Sequence, residues 1–99
     1  MVVNEPLDKE EALGRIIHKA CSVFSISDCD TILSAIIDRE SKLSTGIGLG
    51  IAVPHCRSDK VRNIIIAVML LTPGIEYNSV DGQPVRLIFL IISPTQDVQ

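Results

Sequence analysis

Residues Val85–Ile92 read Val-Arg-Leu-Ile-Phe-Leu-Ile-Ile, an aliphatic run interrupted by a single charge. It is far too short to cross a bilayer, which takes about twenty apolar residues. It is also too continuous for a strand with one wet face. The run therefore predicts a central strand that needs cover on both faces. Only Ser93–Gln99 follow it in this sequence. Two helices readable in the N-terminal half would supply one covering layer. The other layer must come from chain beyond these residues or from a second copy. The sequence leaves both open. Self-association or marginal stability is the expectation for the 99 residues taken alone.

A chain of 99 residues allows one domain. Its hydrophobic fraction of 46% argues against disorder, and with one Tyr, two Phe and no Trp the core must be aliphatic. Nine basic residues oppose twelve acidic ones, for a net charge of −3, with no dense Lys/Arg block. Without such a block or an aromatic stacking platform, nucleic-acid binding is not expected. Ile64–Thr72 and Leu87–Ser93 are too short for membrane insertion. Glu5, Asp8, Glu10 and Glu11 occupy the N-terminus where a secretory leader would be basic and then apolar. Cys21, Cys29 and Cys56 are odd in number and lack CxxC spacing, so they read as reduced thiols of a cytoplasmic protein. Together with His18 and His55 they lack the close ligand pairs of a zinc site, and neither metal nor cofactor is expected.

Asp8-Lys9-Glu10-Glu11 has the form of a capping box. Leu13, Ile16, Ile17, Ala20 and Phe24 follow at helical spacing as one apolar stripe. His18 falls well off that stripe and reads as a solvated helix histidine. Ser27 or Asp28 can cap a second helix, with Cys29, Leu33, Ile36 and Ile37 facing inward. Arg39 and Glu40 lie in its last turn. Periodicity turns Glu40 toward the apolar side, so it needs a partner, and a helix-end ion pair is the plain expectation.

Gly46, Gly48 and Gly50 then alternate with Ile47, Leu49 and Ile51. This fits a short strand with one face stripped of side chains, where backbone or ligand can approach closely. No helix and no Lys-Ser/Thr pair follow as a nucleotide-binding loop would require. Pro54 is expected to stop regular pairing, so that His55 opens a loop at the strand end. A further strand is expected at Ile64–Leu71, broken by Thr72-Pro73-Gly74. Asp81-Gly82 marks a tight turn before Val85–Ile92, and Ser93-Pro94 closes that strand.

The histidine in Gly50-Ile51-Ala52-Val53-Pro54-His55-Cys56 is the residue most suited to chemistry. Neutral imidazole can attack phosphorus near pH 7 and later leave again. Such a site needs a free ring nitrogen, a fixed tautomer and donors for the phosphoryl oxygens. Amides of the glycine run and the Thr45 hydroxyl are candidate donors, and Arg39 and Arg57 are candidate cations. A satisfied structural or ligand-contacting role for His55 stands beside phosphoryl transfer, with acid/base and metal roles behind both. A hydrolase is disfavoured, since no G-x-S-x-G elbow occurs and Cys56 points away from His55 on an extended backbone.

The stretch Arg39–Asp59, RESKLSTGIGLGIAVPHCRSD, resembles the signature of type-2 EIIA domains of the bacterial sugar phosphotransferase system. These form the fructose, mannitol and nitrogen-regulatory group. Pro73–Pro94 is similar to the segment that follows in that family, and the resemblance covers essentially the whole chain. It implies an α/β (α+β) fold, a single domain with a mixed sheet flanked by helices. It further implies that His55 accepts phosphate from the phosphorylated histidine carrier protein. The group then passes to a cysteine of a sugar-specific EIIB domain, or serves as a regulatory signal. Arg39 would lie near the site, with Thr45, Gly46 and Gly48 shaping its wall. In the family a second active-site histidine and C-terminal helices follow the Ser-Pro that matches Ser93-Pro94. Residues 1–99 are thus expected to form a partial domain whose C-terminal helical layer is missing. The alternative function is a non-catalytic regulatory or remnant domain acting by protein–protein interaction.

Overall fold

The capping box at Asp8 forms in the computed structural model, which describes residues 1–95. Asp8 Oδ1 accepts from the Glu11 amide at 2.8 Å, and Glu11 Oε1 accepts from the Asp8 amide at 3.1 Å. Preceded by a short strand β1 (Val2–Val3), helix α1 runs Lys9–Phe24 and buries Leu13, Ile16, Ile17 and Ala20. Phe24, expected to close that stripe, is exposed instead. The helix ends there because Ser25 turns left-handed, at φ 53°, with its amide bonded to the Cys21 carbonyl.

Helix α2 (Cys29–Lys42) starts differently from the expectation. Asp28 holds the N-cap position, but with φ 60° its side chain makes no capping bond. The inward face is also rotated. Ile32, Ile36 and Glu40 are buried, whereas Cys29, Leu33 and Ile37 flank them half-exposed.

The glycine run is a hairpin rather than one strand. Strand β2 (Gly46–Gly48) pairs antiparallel with β3 (Ile51–Ala52) around Leu49-Gly50. Both turn residues have positive φ, 58° and 78°, as a tight two-residue hairpin turn requires. Leucine is an unusual residue there, and its amide is held by Asp81 Oδ2 at 3.0 Å. Two backbone hydrogen bonds, from Gln83 first and Leu49 second, keep the Asp81 carboxyl below the ordinary aspartate range.

Strands β4 (His55–Ser58), β5 (Ile65–Ile75) and β6 (Val85–Pro94) complete a six-stranded mixed sheet. Its order is β1-β5-β6-β3-β2, with β4 also on β6. β6 is antiparallel to β5 and parallel to β3 and β4, while β1 is parallel to β5. Thr72-Pro73-Gly74 does not end β5. The strand runs on to Ile75 through a register irregularity, which is where a sheet tolerates proline and glycine.

One face of the sheet carries Met69, Leu71, Ile88, Leu90 and Ile92 into a core shared with Leu13, Ile16, Ile17 and Ile36. Burying each such side chain stabilises the fold by about 1.5–3 kcal/mol. The opposite face, with Ile66, Val68 and Leu70 of β5 and Val2 of β1, is exposed. Leu87, Phe89 and Ile91 of β6 lie among them half-buried. The second cover that Val85–Ile92 demands is thus not supplied among the described residues.

Candidate functional site

Regular pairing stops after Ala52, as expected before Pro54, but it resumes at once in β4, so His55 opens a strand instead of a loop. Ile51 and Ala52 stand opposite Leu87 and Ile88, and His55 and Cys56 stand opposite Ile91 and Ile92 in unchanged register. Proline removes only a donor. Its carbonyl still accepts from the Ile91 amide at 3.0 Å, so β3 and β4 run as one line along β6.

That register decides where the imidazole lies. His55 shares its face with Ile91, on the open side of the sheet, and is exposed. Arg57, two residues on, shares the face and is exposed as well. Cys56 faces the core, where desolvation pushes its thiol pKa up. Cys21 is pushed up to about 12, by burial first and by the neighbouring Cys29 thiol second. All three cysteines are free thiols, and neither shifted one is poised as a nucleophile.

His55 Nδ1 lies 2.9 Å from the Val53 carbonyl oxygen. A carbonyl only accepts, so Nδ1 carries the ring proton and Nε2 keeps its lone pair. Val53 is itself held, because its amide donates to the Thr45 carbonyl at 3.0 Å. The segment expected to wall the site is therefore tied to the histidine through backbone.

The side chain of Thr45 is engaged elsewhere. Its hydroxyl donates to Glu40 Oε2, and its amide donates to Glu40 Oε1 at 3.1 Å. The Tyr77 hydroxyl sits 3.2 Å from Thr45 Oγ1 and serves as the donor to it. Burial first, and the nearby Glu40 to a lesser degree, raise the Tyr77 pKa against the lowering effect of the Thr45 hydrogen bond, and keep that phenol protonated. Glu40 also has the partner its inward position called for. Lys9 of α1 reaches it at 3.0 Å, with the ammonium 4.2 Å from the centre of the Tyr77 ring. Glu40 is buried and Lys9 half-buried, and this helix-end ion pair joins two different helices. Sequence reasoning missed Lys9 and Tyr77, which lie 31 residues before and 37 after Glu40.

The glycines have local reasons of their own. A Cβ on Gly46 would lie 2.5 Å from Ser79 Oγ and 2.9 Å from Ser79 Cα. Gly48, at φ 100°, approaches Asp81. Both therefore pack against the Ser79–Asp81 segment. Arg39 is exposed on the last turns of α2, with no side-chain hydrogen bond or ion pair to His55 among the described residues. His18 is exposed on α1. Among the described residues, no three or more His, Cys, Asp or Glu side chains gather as metal ligands would. No helix among them is long and apolar enough to cross a membrane.

Residues 2–99 match the family described as phosphoenolpyruvate-dependent sugar phosphotransferase system, EIIA 2. The chain belongs to this family. It is 33% identical over 89 residues to a fructose-specific EIIA component of Haloferax volcanii, covering 90% of this chain and 58% of that protein. It is 35% identical over 86 residues to a nitrogen regulatory protein of Pseudomonas aeruginosa, covering 87% and 56%. The chain thus spans a little over half the length of these two relatives. Among solved structures, nitrogen regulatory protein IIA-Ntr of Neisseria meningitidis superposes with a TM-score of 0.82 at 24% identity, covering 96% of this chain and 65% of that one. An Escherichia coli complex of enzyme IIAMTL with phosphorylated enzyme IIBMTL gives a TM-score of 0.79 at 20% identity, covering 97% and 69%. At such identities these two likenesses establish the EIIA fold alone.

Proposed function

We propose that this EIIA-type domain is a phosphocarrier acting through His55. The phosphorylated histidine carrier protein would donate the phosphoryl group, and a cysteine of a sugar-specific EIIB domain would receive it. In a nitrogen-type setting the phosphorylated domain itself would be the signal, as the name of the Pseudomonas relative suggests. Both settings are cytoplasmic. The observation that carries the reading is the Nδ1 contact to the Val53 carbonyl, which leaves Nε2 as an exposed nucleophile.

The step balances simply. The Nε2 lone pair forms the bond to phosphorus as the donor's nitrogen–phosphorus bond breaks, and the donor imidazole leaves with that electron pair. The Nδ1 proton stays against the Val53 carbonyl, which stabilises the positive charge growing in the ring. Arg39 is assigned to neutralise the transferred group, and Thr45, Gly46 and Gly48 to the wall of the site. Arg57, on the His55 face, is a second cation within reach of an incoming phosphoryl group.

A second reading draws on the open sheet face. A non-catalytic domain would use that apolar surface to bind a partner, and a second copy of this chain is one occupant it suits. Incubation with phosphoenolpyruvate, enzyme I and the histidine carrier protein separates the readings, since a phosphocarrier gains an acid-labile adduct of about 80 Da on histidine. His55→Ala should abolish the adduct. An undiminished adduct in that variant removes His55 from the role, and no adduct on the folded wild type favours the binding reading.

A further inference from the structure

The buried carboxylate of Glu40 has no place in the transfer step described above, yet it is tied to the histidine by consecutive hydrogen bonds. Both of its oxygens accept from one residue, while Oε1 also meets the Lys9 ammonium. Oε1 accepts the Thr45 amide at 3.1 Å and Oε2 accepts the Thr45 hydroxyl. Held through these two donors, Thr45 turns its carbonyl onto the Val53 amide at 3.0 Å. The next residue is held from the other side, with the Pro54 carbonyl on the Ile91 amide at 3.0 Å. Between these two anchored points, the Val53 carbonyl meets His55 Nδ1 at 2.9 Å.

Anchoring alone does not explain an ion pair at this position. An ion pair with a buried carboxylate, such as Lys9–Glu40, loses much of its Coulombic gain to desolvation, and apolar side chains of similar volume often stabilise as well or better. An apolar side chain cannot, however, present two acceptors to a single threonine. We propose that Glu40 is a positioning residue, which sets the ring tautomer of His55 through Thr45 and Val53. The proposal deepens the phosphocarrier reading and rests on it for its functional consequence, whereas the tautomer itself is measurable without any phosphoryl donor.

The test is long-range proton–nitrogen NMR on ¹⁵N-histidine-labelled protein, at a pH where the ring is neutral. Wild-type His55 should show a protonated Nδ1 and a bare Nε2. Glu40→Ala should move the ring toward the Nε2-protonated form and slow phosphoryl acceptance about tenfold or more, since misaligned reacting groups lose rate steeply. Glu40→Gln retains an acceptor for the Thr45 amide and should largely restore the wild-type signature. Lys9→Met removes the counter-charge but leaves the hold on Thr45, so it should lower the melting temperature without moving the tautomer.

The double variant Lys9→Met/Glu40→Met covers the case in which Glu40→Ala fails to fold. Replacing the pair by two apolar chains preserves packing, and the folded protein should still lose the Nδ1-protonated form. A folded Glu40→Ala or double-Met protein that keeps the Nδ1 proton overturns the proposal. So does a Lys9→Met protein whose tautomer shifts as far as that of Glu40→Ala. Failure of the wild type to accept phosphate with its tautomer intact counts against the carrier reading and leaves the positioning role standing.

Discussion

The two faces of the sheet are built from the same aliphatic residue types and meet opposite surroundings. Leu90 and Ile88 are fully buried against the helices, while Ile66 of the neighbouring strand is 58% exposed on the other side. The helix-bearing face holds the cysteines and the Lys9–Glu40–Thr45–Tyr77 cluster. The open face holds His55 and Arg57 at the edge of an apolar field. Residue type therefore does not tell the faces apart, and strand register does. A slip of one residue in β4 would exchange His55 with Cys56, sending an imidazole into the core and a thiol to the surface.

The contrast can be broken most sharply by truncation. Leu90→Ala should lower unfolding free energy by about 2–5 kcal/mol, as a buried cavity does. Ile66→Ala on the open face should change it by under about 1 kcal/mol at low protein concentration, where no partner covers the site. Chemical denaturation of both variants checks the pair, and equal losses would show that the open face is covered in solution.

Association is the next test. A contiguous apolar surface on several strands favours self-association, and burial stabilises it by roughly 25 cal/mol for each Å² removed from water. Light scattering across a dilution series should show a concentration-dependent mass for the 99-residue chain. Val68→Lys, centred on that face, should weaken association about a hundredfold or more, because pairing would bury its charge. A monomer at every concentration, with slow amide exchange in β6, would mean that the helices on one face suffice.

The smallest expected effect concerns the cations. Arg39→Ala should slow phosphoryl acceptance about tenfold, the scale of removing one charge-assisted hydrogen bond from the transition state. Its thermal melt should stay near that of the wild type, because the side chain is exposed. A larger rate loss from Arg57→Ala than from Arg39→Ala would concentrate the charge of the site on the open face. Unfolding of Arg39→Ala on the scale of a core truncation would make that residue structural.

How far the sequence could be read depended on whether the cause was local. Helix α1 was legible because its capping box and apolar stripe lie within one stretch. The inward turn of Glu40 followed from periodicity, but its partner Lys9 comes from another helix and Tyr77 from beyond β5, distances at which no pattern operates. The hairpin at Leu49-Gly50 was misread because alternation of glycine and aliphatic residues looks the same in a strand and in a tight turn. Only the sign of φ separates them, and leucine gives no warning of a positive one. Pro54 and Pro73 read as lasting breaks in the sequence, but after Pro54 the pairing resumes in register and through Pro73 the strand continues. Each sits where a missing donor is tolerated, Pro54 with its carbonyl still bonded to β6 and Pro73 within the irregular part of β5. The imidazole was legible as a candidate from its place in the chain, whereas its tautomer required the Val53 carbonyl.

The continuous line of β3 and β4 along β6 has a bearing on timing. A nucleophile on a surface loop samples many orientations in nanoseconds, and a partner must wait for the right one. His55 instead sits on backbone paired with the central strand. Displacing its backbone requires opening the hydrogen bonds that tie this line to β6. If His55 carries the phosphoryl group as proposed, its backbone is already in place when a partner arrives, and the pace of exchange would be left to how quickly partners meet this surface and part from it.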